Sequence, residues 1–200
     1  MSQTSLLANL LDRRAVVSTM LRDRKGIVAI GGLGASTNDM AAAGDHDRNL
    51  YLWGAMGGAV MMGLGLALAQ PDVPVVVITG DGEMLMGIGS LATVGMQKPG
   101  NLSIVVLDNE RYGETGGQTS HTSVAADLVG VAKACGIADS QAITTMAEVE
   151  GLVPKLHELK SGPRFANIKI DGANVDRILP MRDGTFIVNR IRGSLGFAPL

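Results

Sequence analysis

The chain has 200 residues, of which 46% are hydrophobic and 18% are charged, and its formal net charge at pH 7 is −2. This length can bury one core of ordinary size, and the lack of basic clusters beyond the short run Arg22 to Lys25 argues against a nucleic-acid ligand. The single cysteine, Cys135, lies in an apolar stretch, and the amino terminus shows no secretory or transit signal. We therefore expect a buried, inert thiol and a cytoplasmic protein.

Hydrophobic spacing predicts a regular alternation of helices and strands. In chain order we expect an amphipathic helix or helix pair over 5–24, a strand over 26–31, a strand over 73–79, a helix over 84–96, a strand over 102–107, a helix over 123–135, a short strand over 142–145, a helix over 147–160 and a strand over 165–170. Such alternation favours an α/β fold with a doubly wound, mostly parallel sheet. The alternation stops at Asp171, so we expect a domain over 1–171 and a tail over 172–200 that packs on the domain or on a partner.

Two segments allow other interpretations. Tyr51 to Ala69 contains no charged residue and includes Gly54-x-x-x-Gly58, a pattern shared with membrane-spanning helices. A glycine-rich helix packed inside an α/β domain accounts for the same residues, since Pro71 and a strand follow directly, and we prefer it. Gly31-Gly-Leu-Gly34 has the glycines of a dinucleotide site but lacks its full spacing, so we disfavour a nicotinamide cofactor.

Polar residues follow two of the predicted strands at the points where each strand ends. Gly80-Asp81-Gly82 follows the strand over 73–79, and Asn109 follows the next strand. Ligands of open parallel sheets bind outside the carboxyl ends of the strands, where both segments would lie. The flanking glycines let a phosphate approach backbone N–H groups, and Mg²⁺ prefers carboxylate and amide oxygens. A turn is the simpler explanation for the Gly-Asp-Gly triplet taken alone.

This order of strand, Gly80-Asp81-Gly82, helix, turn, strand and Asn109 resembles the diphosphate-binding motif of thiamine diphosphate (ThDP)-dependent enzymes. That motif ends on a pair of asparagines, and Asp108 departs from its first member. The resemblance implies a three-layer ThDP-binding fold, ThDP and Mg²⁺ as cofactors, and metal ligands from the side chains of Asp81 and Asn109 and the backbone carbonyl of Arg111. It also implies a set of cofactor-binding residues, namely Gly54, Met56, Gly80, Asp81, Gly82, Glu83, Asn109, Tyr112 and Gly113.

The resemblance extends over roughly residues 26–171. Gly54-Ala-Met-Gly57 is similar to the turn that holds the cofactor's pyrimidine ring, in which a glycine carbonyl accepts from the amino group and an apolar side chain wedges the cofactor into a bent shape. Gly54 and Met56 match these two roles. The resemblance further implies that the helix over 58–69 packs beneath the cofactor, which would explain its glycines.

ThDP enzymes also need a glutamate against the pyrimidine ring, and in the family it comes from another domain. We expect a separate α-type subunit to supply it, in a hetero-oligomer (α2β2 or larger), and this chain alone to be inactive. Tyr112-Gly-Glu-Thr-Gly-Gly-Gln118 is similar to the β subunit of sulfopyruvate decarboxylase and to phosphonopyruvate decarboxylases, which implies decarboxylation of a small 2-oxo acid. An acetolactate synthase-like carboligase or a non-catalytic ThDP-binding regulatory subunit would use the same motifs.

Three further side chains follow the metal-binding loop. Glu114, Gln118 and His121 could relay protons or hold an anionic substrate tail. Hydrogen bonding within a glycine-rich loop explains the same three residues equally well.

Overall fold

A computed structural model describes residues 10–173 and 175–200 of the chain. It begins with α1 (Arg13–Leu21), β1 (Val28–Gly31), α2 (Ala35–Ala42), β2 (Asn49–Tyr51), α3 (Ala59–Ala69), β3 (Val75–Gly80), α4 (Asp81–Met86), α5 (Ser90–Gln97) and β4 (Leu102–Asp108). It continues with β5 (Arg111–Tyr112), β6 (Gln118–Thr119), a 3-10 helix (His121–Ser123), α6 (Leu128–Ala134), β7 (Asp139–Ile143), α7 (Met146–Leu152), a second 3-10 helix (Val153–His157), β8 (Arg164–Lys169) and α8 (Gly184–Ser194).

The main sheet has six strands in the order β2-β1-β3-β4-β8-β7. All of its strand pairs are parallel, while β5 and β6 form a separate antiparallel pair. The chain places β2 on one side of β1 and β3 on the other, so the winding direction reverses between β1 and β3. This confirms the predicted doubly wound α/β fold and marks the β1–β3 boundary as the place where a crevice opens.

The sheet is covered on both faces, which explains why its central strands are continuous apolar runs. Val76 and Ile78 of β3 point into one core with residues of α1, α7 and α8. Val75 and Val77 point into the other core with residues of α3, α5 and α6. Helix, sheet and helix therefore form the three predicted layers.

The helix predicted over 84–96 is wrong as a single element. Gly87 separates α4 from α5, and a Cβ atom at Gly87 would lie 2.2 Å from the carbonyl oxygen of Gly57. The backbone of the predicted pyrimidine turn therefore packs in direct contact with the backbone at Gly87, between α4 and α5. A continuous helix with a side chain at this position would not leave space for that contact.

Other element boundaries also differ from the predictions. The helix predicted over 123–135 begins only at Leu128, because the Asp127 carboxylate accepts from the Gly130 N–H at 2.9 Å and caps the helix there. Neither α2 nor β2 was predicted. The helix or helix pair predicted over 5–24 corresponds to α1 (Arg13–Leu21). Residues 1–9 lie outside the described part.

The segment after β8 returns to the domain. Its helix α8 places Ile187 and Ile191 in the core beside α1 and α7. Cys135 is half-buried, not buried as predicted. Within residues 10–173 and 175–200, none of the helices combines the length and the apolar character needed to cross a bilayer.

Candidate cofactor site

A cleft of about 700 Å³ opens at the carboxyl ends of β1, β3 and β4. Its lining brings together Gly80 to Glu83, Met56, and the loop from Asn109 to Gly117, with the exception of Glu110. The register of β3 and β4 pairs Gly80 with Leu107, so the segments that follow each strand leave the sheet side by side. Residues far apart in the sequence thus meet where the switch in winding direction predicts a ligand site.

Asp81 is a deeply buried acid at the cleft edge. It starts α4, directly after β3, and its side chain is almost fully buried at 2% exposure. Its Oδ2 atom accepts from the hydroxyl of Ser120, and from that of Thr122 at 3.2 Å. Among the described residues no Lys, Arg or His nitrogen comes within 4.0 Å of it. Burial raises the pKa of this carboxyl, although the hydroxyl donors oppose the shift.

Asn109 follows β4 and lines the same cleft. Its side-chain Oδ1 accepts the Arg111 N–H at 3.0 Å, an arrangement that turns the chain from β4 into β5. Arg111 pairs with Thr119 across the short antiparallel ladder, which fixes the course of its backbone. All three predicted metal ligands therefore lie around one cleft.

The predicted pyrimidine turn contains unusual backbone conformations. Ala55 has φ +54° and Gly57 has φ +88°, and both values fall in the left-handed region. Met56 projects into the cleft lining, whereas Gly54 is exposed beside it. The buried carboxylate of Glu83 accepts from the Gly57 N–H at 3.3 Å and from the Thr79 hydroxyl at 2.7 Å.

Glu83 thus braces the turn against β3. Each of its two carboxylate oxygens accepts one of these bonds, and the residue also lines the cleft. Burial raises the pKa of this carboxyl as well.

The three substrate-side candidates occupy different places. Glu114 lines the cleft and pairs with Arg177 at 3.2 Å. Gln118 bonds to the Thr115 carbonyl at 2.9 Å and lies outside the cleft lining. His121 also lies outside that lining, but its Nδ1 atom is 2.6 Å from the hydroxyl of Tyr112, which is part of it. Hydrogen bonding within the glycine-rich loop thus accounts for Gln118. Glu114 lines the cleft, and His121 contacts a residue that does.

Several groups of cleft residues were missed by the sequence predictions, including the segment after β1 with Leu33, Ala35, Ser36 and Asn38. Arg13 of α1 and Asp39 of α2 form a buried ion pair at 2.7 Å in the cleft wall. The segment from Gly172 to Arg177 also contributes to the lining, with residue 174 outside the described part. Only the hydrophobic spacing around Arg13 offered a signal, since a charged residue there interrupts an apolar helix.

The residues of the cleft suit a magnesium diphosphate. A Cβ atom built on Gly80 or Gly113 meets nothing within 4 Å, so both backbones face open space that a phosphate could enter. A buried Asp81 carboxylate without a cationic neighbour would gain a counter-charge from the metal. Among the described residues there is no cluster of three or more His, Cys, Asp or Glu that could hold a metal. The donors present are instead one carboxylate, one amide and backbone carbonyls, which suit a hard cation shared with phosphate oxygens.

Comparisons with known proteins agree with this geometry. The chain is 41% identical over 172 residues to a phosphonopyruvate decarboxylase of Streptomyces viridochromogenes, covering 86% of this chain and 39% of that protein. It is 42% identical over 110 residues to the sulfopyruvate decarboxylase subunit beta of Methanocaldococcus jannaschii, covering 55% of this chain and 58% of that subunit. The corresponding subunit of Methanothermobacter thermautotrophicus is 35% identical over 158 residues, covering 79% of this chain and 81% of that subunit. The chain thus spans less than two thirds of the first two relatives.

A solved structure and a family match complete the comparison. A benzoylformate decarboxylase from Polynucleobacter necessarius superposes with a TM-score of 0.68 at 22% identity, covering 84% of this chain and 34% of that one, and supports the fold alone. Residues 32–170 match the family described as the C-terminal TPP-binding domain of thiamine pyrophosphate enzymes, where thiamine pyrophosphate is another name for ThDP. The chain therefore belongs to this family of ThDP-binding domains.

Proposed function

We propose that this chain is the β-type subunit of a ThDP- and Mg²⁺-dependent decarboxylase that acts on a sulfopyruvate- or phosphonopyruvate-like 2-oxo acid. The observation that carries the proposal is the buried Asp81 carboxylate, which faces the cleft without a cationic neighbour among the described residues. Relatives named phosphonopyruvate decarboxylase and sulfopyruvate decarboxylase subunit beta support the choice of reaction.

In this proposal the cleft residues hold and orient the cofactor. The side-chain oxygens of Asp81 and Asn109 and the carbonyl of Arg111 would bind Mg²⁺, while the backbones of the glycine loop would receive the diphosphate. Met56 would support the bent cofactor from the side of the pyrimidine turn, with Gly54 as the carbonyl acceptor. Bound ThDP would supply the carbon that adds to the 2-oxo group and the ring that holds electrons when CO₂ leaves.

The substrate would then contact the loop after Asn109. Glu114 lies in the cleft, where its carboxylate could exchange a proton with a bound substrate, and it is paired with Arg177. His121 is oriented by Tyr112 through its Nδ1 atom, which leaves the other ring nitrogen free for a second contact. These two side chains are the candidates for proton transfer on the substrate side.

We further propose that the activating glutamate comes from a separate α-type subunit. Within the described part of the cleft, Glu83 is bonded to Thr79 and Gly57, and Glu114 is paired with Arg177. The subunit designation of the archaeal relatives supports a hetero-oligomeric assembly.

Cofactor binding can be tested on this chain because Trp53 is its only tryptophan and adjoins the pyrimidine turn. Addition of ThDP and Mg²⁺ should change its fluorescence in a saturable, EDTA-sensitive way. Asp81→Asn removes the carboxylate ligand, and we expect at least about a hundred-fold weaker Mg²⁺-dependent ThDP binding, the order of magnitude for losing a charge-assisted contact. Asp72→Asn, an exposed acid in the turn before β3, serves as the matched control. Wild-type affinity in Asp81→Asn would refute the metal assignment.

The reaction itself is tested on the complex that copurifies with the chain from its native host. With ThDP and Mg²⁺, sulfopyruvate or phosphonopyruvate should release CO₂ and yield the corresponding aldehyde. A condensed hydroxy acid in place of the aldehyde would identify a carboligase. ThDP binding without turnover of any 2-oxo acid would instead favour a regulatory subunit.

A further inference from the structure

Asp108, at the end of β4, accepts hydrogen bonds from four different groups. The Thr122 hydroxyl at 2.8 Å and the Glu110 N–H at 3.1 Å reach Oδ1. The Asn167 amide at 2.9 Å and the Lys169 ammonium at 2.8 Å reach Oδ2. The residue is almost fully buried, so the carboxylate exchanges its hydration for these four donors.

An asparagine could not make the same set of bonds. Its NH₂ group would face either the Glu110 N–H or the Lys169 ammonium, and neither of these groups can accept a hydrogen bond. Lys169 also neutralises the carboxylate and makes a second ion pair with Glu110 at 2.7 Å. Only a carboxylate at position 108 can accept from all four groups as they are arranged, although the ThDP motif has asparagine there.

The same network reaches the proposed metal ligand. Thr122 Oγ1 lies between the two acids, 2.8 Å from Asp108 Oδ1 and 3.2 Å from Asp81 Oδ2, and 2.8 Å from the Ser120 hydroxyl. Ser120 in turn donates to Asp81 Oδ2. Because Thr122 has one hydroxyl proton, its hydrogen bond is shared between Asp108 Oδ1 and Asp81 Oδ2, whereas Ser120 donates to Asp81 Oδ2. Neither hydroxyl contacts Asp81 Oδ1.

We propose that Asp108 and Thr122 are positioning residues for the metal site: Asp108 anchors Thr122, and Thr122 with Ser120 holds Asp81 by Oδ2 so that Oδ1 is presented to Mg²⁺. This inference rests on the proposed function, because it assumes that Asp81 binds the metal. It adds that the carboxylate at 108 acts through hydroxyl contacts and not as a ligand, since Lys169 and Asn167 occupy its second oxygen.

The test is an Mg²⁺ titration of ThDP binding, followed by Trp53 fluorescence. Thr122→Val keeps the shape of the side chain but removes the hydroxyl, and we expect the Mg²⁺ concentration at half-saturation to rise about ten-fold. Thr122→Ser keeps a hydroxyl at this position, and its Mg²⁺ concentration at half-saturation should lie within about two-fold of the wild-type value. Thr93→Val, the same substitution on α5 outside the cleft lining, is the matched control and should leave it unchanged.

Asp108→Asn gives a second, independent measurement. Although it restores the residue of the ThDP motif, we expect it to raise the Mg²⁺ requirement about ten-fold or more, because it misplaces Thr122. Thermal denaturation without Mg²⁺ separates this effect from lost stability. The positioning role is supported if both variants are folded at the assay temperature and need more Mg²⁺, yet reach wild-type ThDP affinity at saturating Mg²⁺.

Two results would overturn the inference in distinguishable ways. Normal Mg²⁺-dependent binding in the wild type together with an unchanged Mg²⁺ requirement in Thr122→Val would reject the positioning role alone. Absence of Mg²⁺-dependent ThDP binding in the wild type would reject the proposed function, and the positioning role with it.

Discussion

Three carboxyl groups of the cleft wall are buried, and their ionisation opposes folding. Burial raises the pKa of Asp39, Asp81 and Glu83 above the ordinary values, even though Asp39 is paired with Arg13 and the other two accept hydrogen bonds. The native state therefore binds protons more tightly at these sites than the unfolded chain does. Asp39 and Glu83 make structural contacts, whereas Asp81 has no cationic neighbour among the described residues, and such a cost is typical of a residue that is placed for a ligand.

The metal-free protein should become more stable as the pH falls from neutral through the raised folded pKa values of these three carboxyls. Above the raised folded pKa values these carboxyls are ionised in both states; as the pH falls through those values, the native state takes up protons first and gains stability. Asp45 does not offset this gain, because its hydrogen bond to Arg190 lowers its pKa to about 2. His46 opposes the gain, because burial lowers its pKa and the unfolded chain therefore takes up that proton first. The measurement is the melting temperature in EDTA as a function of pH.

Glu83→Gln tests one contributor to this pH dependence. Its neutral side chain can still accept from Thr79, so the melting temperature should depend less steeply on pH than in the wild type. Glu150→Gln on the exposed side of α7 should keep the wild-type slope. A wild-type melting temperature that rises with pH over the same interval would contradict the sign of the effect.

At the scale of elements, the glycines of α3 divide into two kinds. A Cβ atom on Gly63 would lie 2.3 Å from Val77 Cγ2 of β3, whereas one on Gly65 meets nothing within 4 Å. Gly63 therefore lets the helix approach the sheet closely. Gly63 packs against β3, the strand that leads to Asp81, and this contact explains the glycine at position 63. Gly65 lies on the exposed side of the helix.

Alanine at these two positions should have opposite effects. Gly63→Ala overpacks against a β-branched side chain that cannot rotate freely, and we expect a loss of about 1–3 kcal/mol of unfolding free energy. Gly65→Ala, two residues away, should gain about 0.5–1 kcal/mol, because alanine restricts the unfolded chain and favours helix. Urea denaturation of both variants measures the difference. A similar loss in the two variants would show that α3 does not pack on the sheet through Gly63.

Helices and strands with a clear hydrophobic pattern were predictable from the sequence. Those that form only through contacts with distant parts of the chain were not. The strands β3 and β4 are continuous apolar runs, so their burial on both faces can be inferred directly. By contrast, β2 is only Asn-Leu-Tyr, and it becomes a strand because it pairs with β1. Helix α2 contains Ser, Thr, Asn and Asp and begins after a glycine with φ +84°, so neither propensity nor a side-chain cap announces it.

The candidate site shows the same division. Gly80-Asp81-Gly82 and Asn109 were found because their spacing along two successive strands is a sequence property. The Arg13–Asp39 pair and the segment after β8 reach the cleft only through the tertiary fold. Asp108 was recognised as a departure from the motif, but the four donors that require a carboxylate come from separate parts of the chain.

At the scale of the whole molecule, the segment after β8 connects the cleft with the core. Arg177 contacts Glu114 in the cleft, the Met181 carbonyl accepts from Trp53 at 3.0 Å, and α8 follows. Arg190 of α8 then pairs with Asp45 at 2.6 Å. These contacts favour a tail that folds together with the domain, and the boundary predicted between 171 and 172 would then not separate two units of stability.

Substitutions in α8 test whether the tail and the domain unfold together. Ile187 is 2% exposed in the core beside α1 and α7, so Ile187→Ala should cost about 2–4 kcal/mol. Val188, the next residue, is 39% exposed, and Val188→Ala should change stability by about 0.5 kcal/mol or less. If the tail is part of one cooperative unit, Ile187→Ala will lower the single transition followed by circular dichroism, and the ThDP-induced fluorescence change of Trp53 will be lost over the same temperature range. If instead α8 melts in a separate, earlier step while ThDP binding persists, residues 172–200 are an independently docked tail.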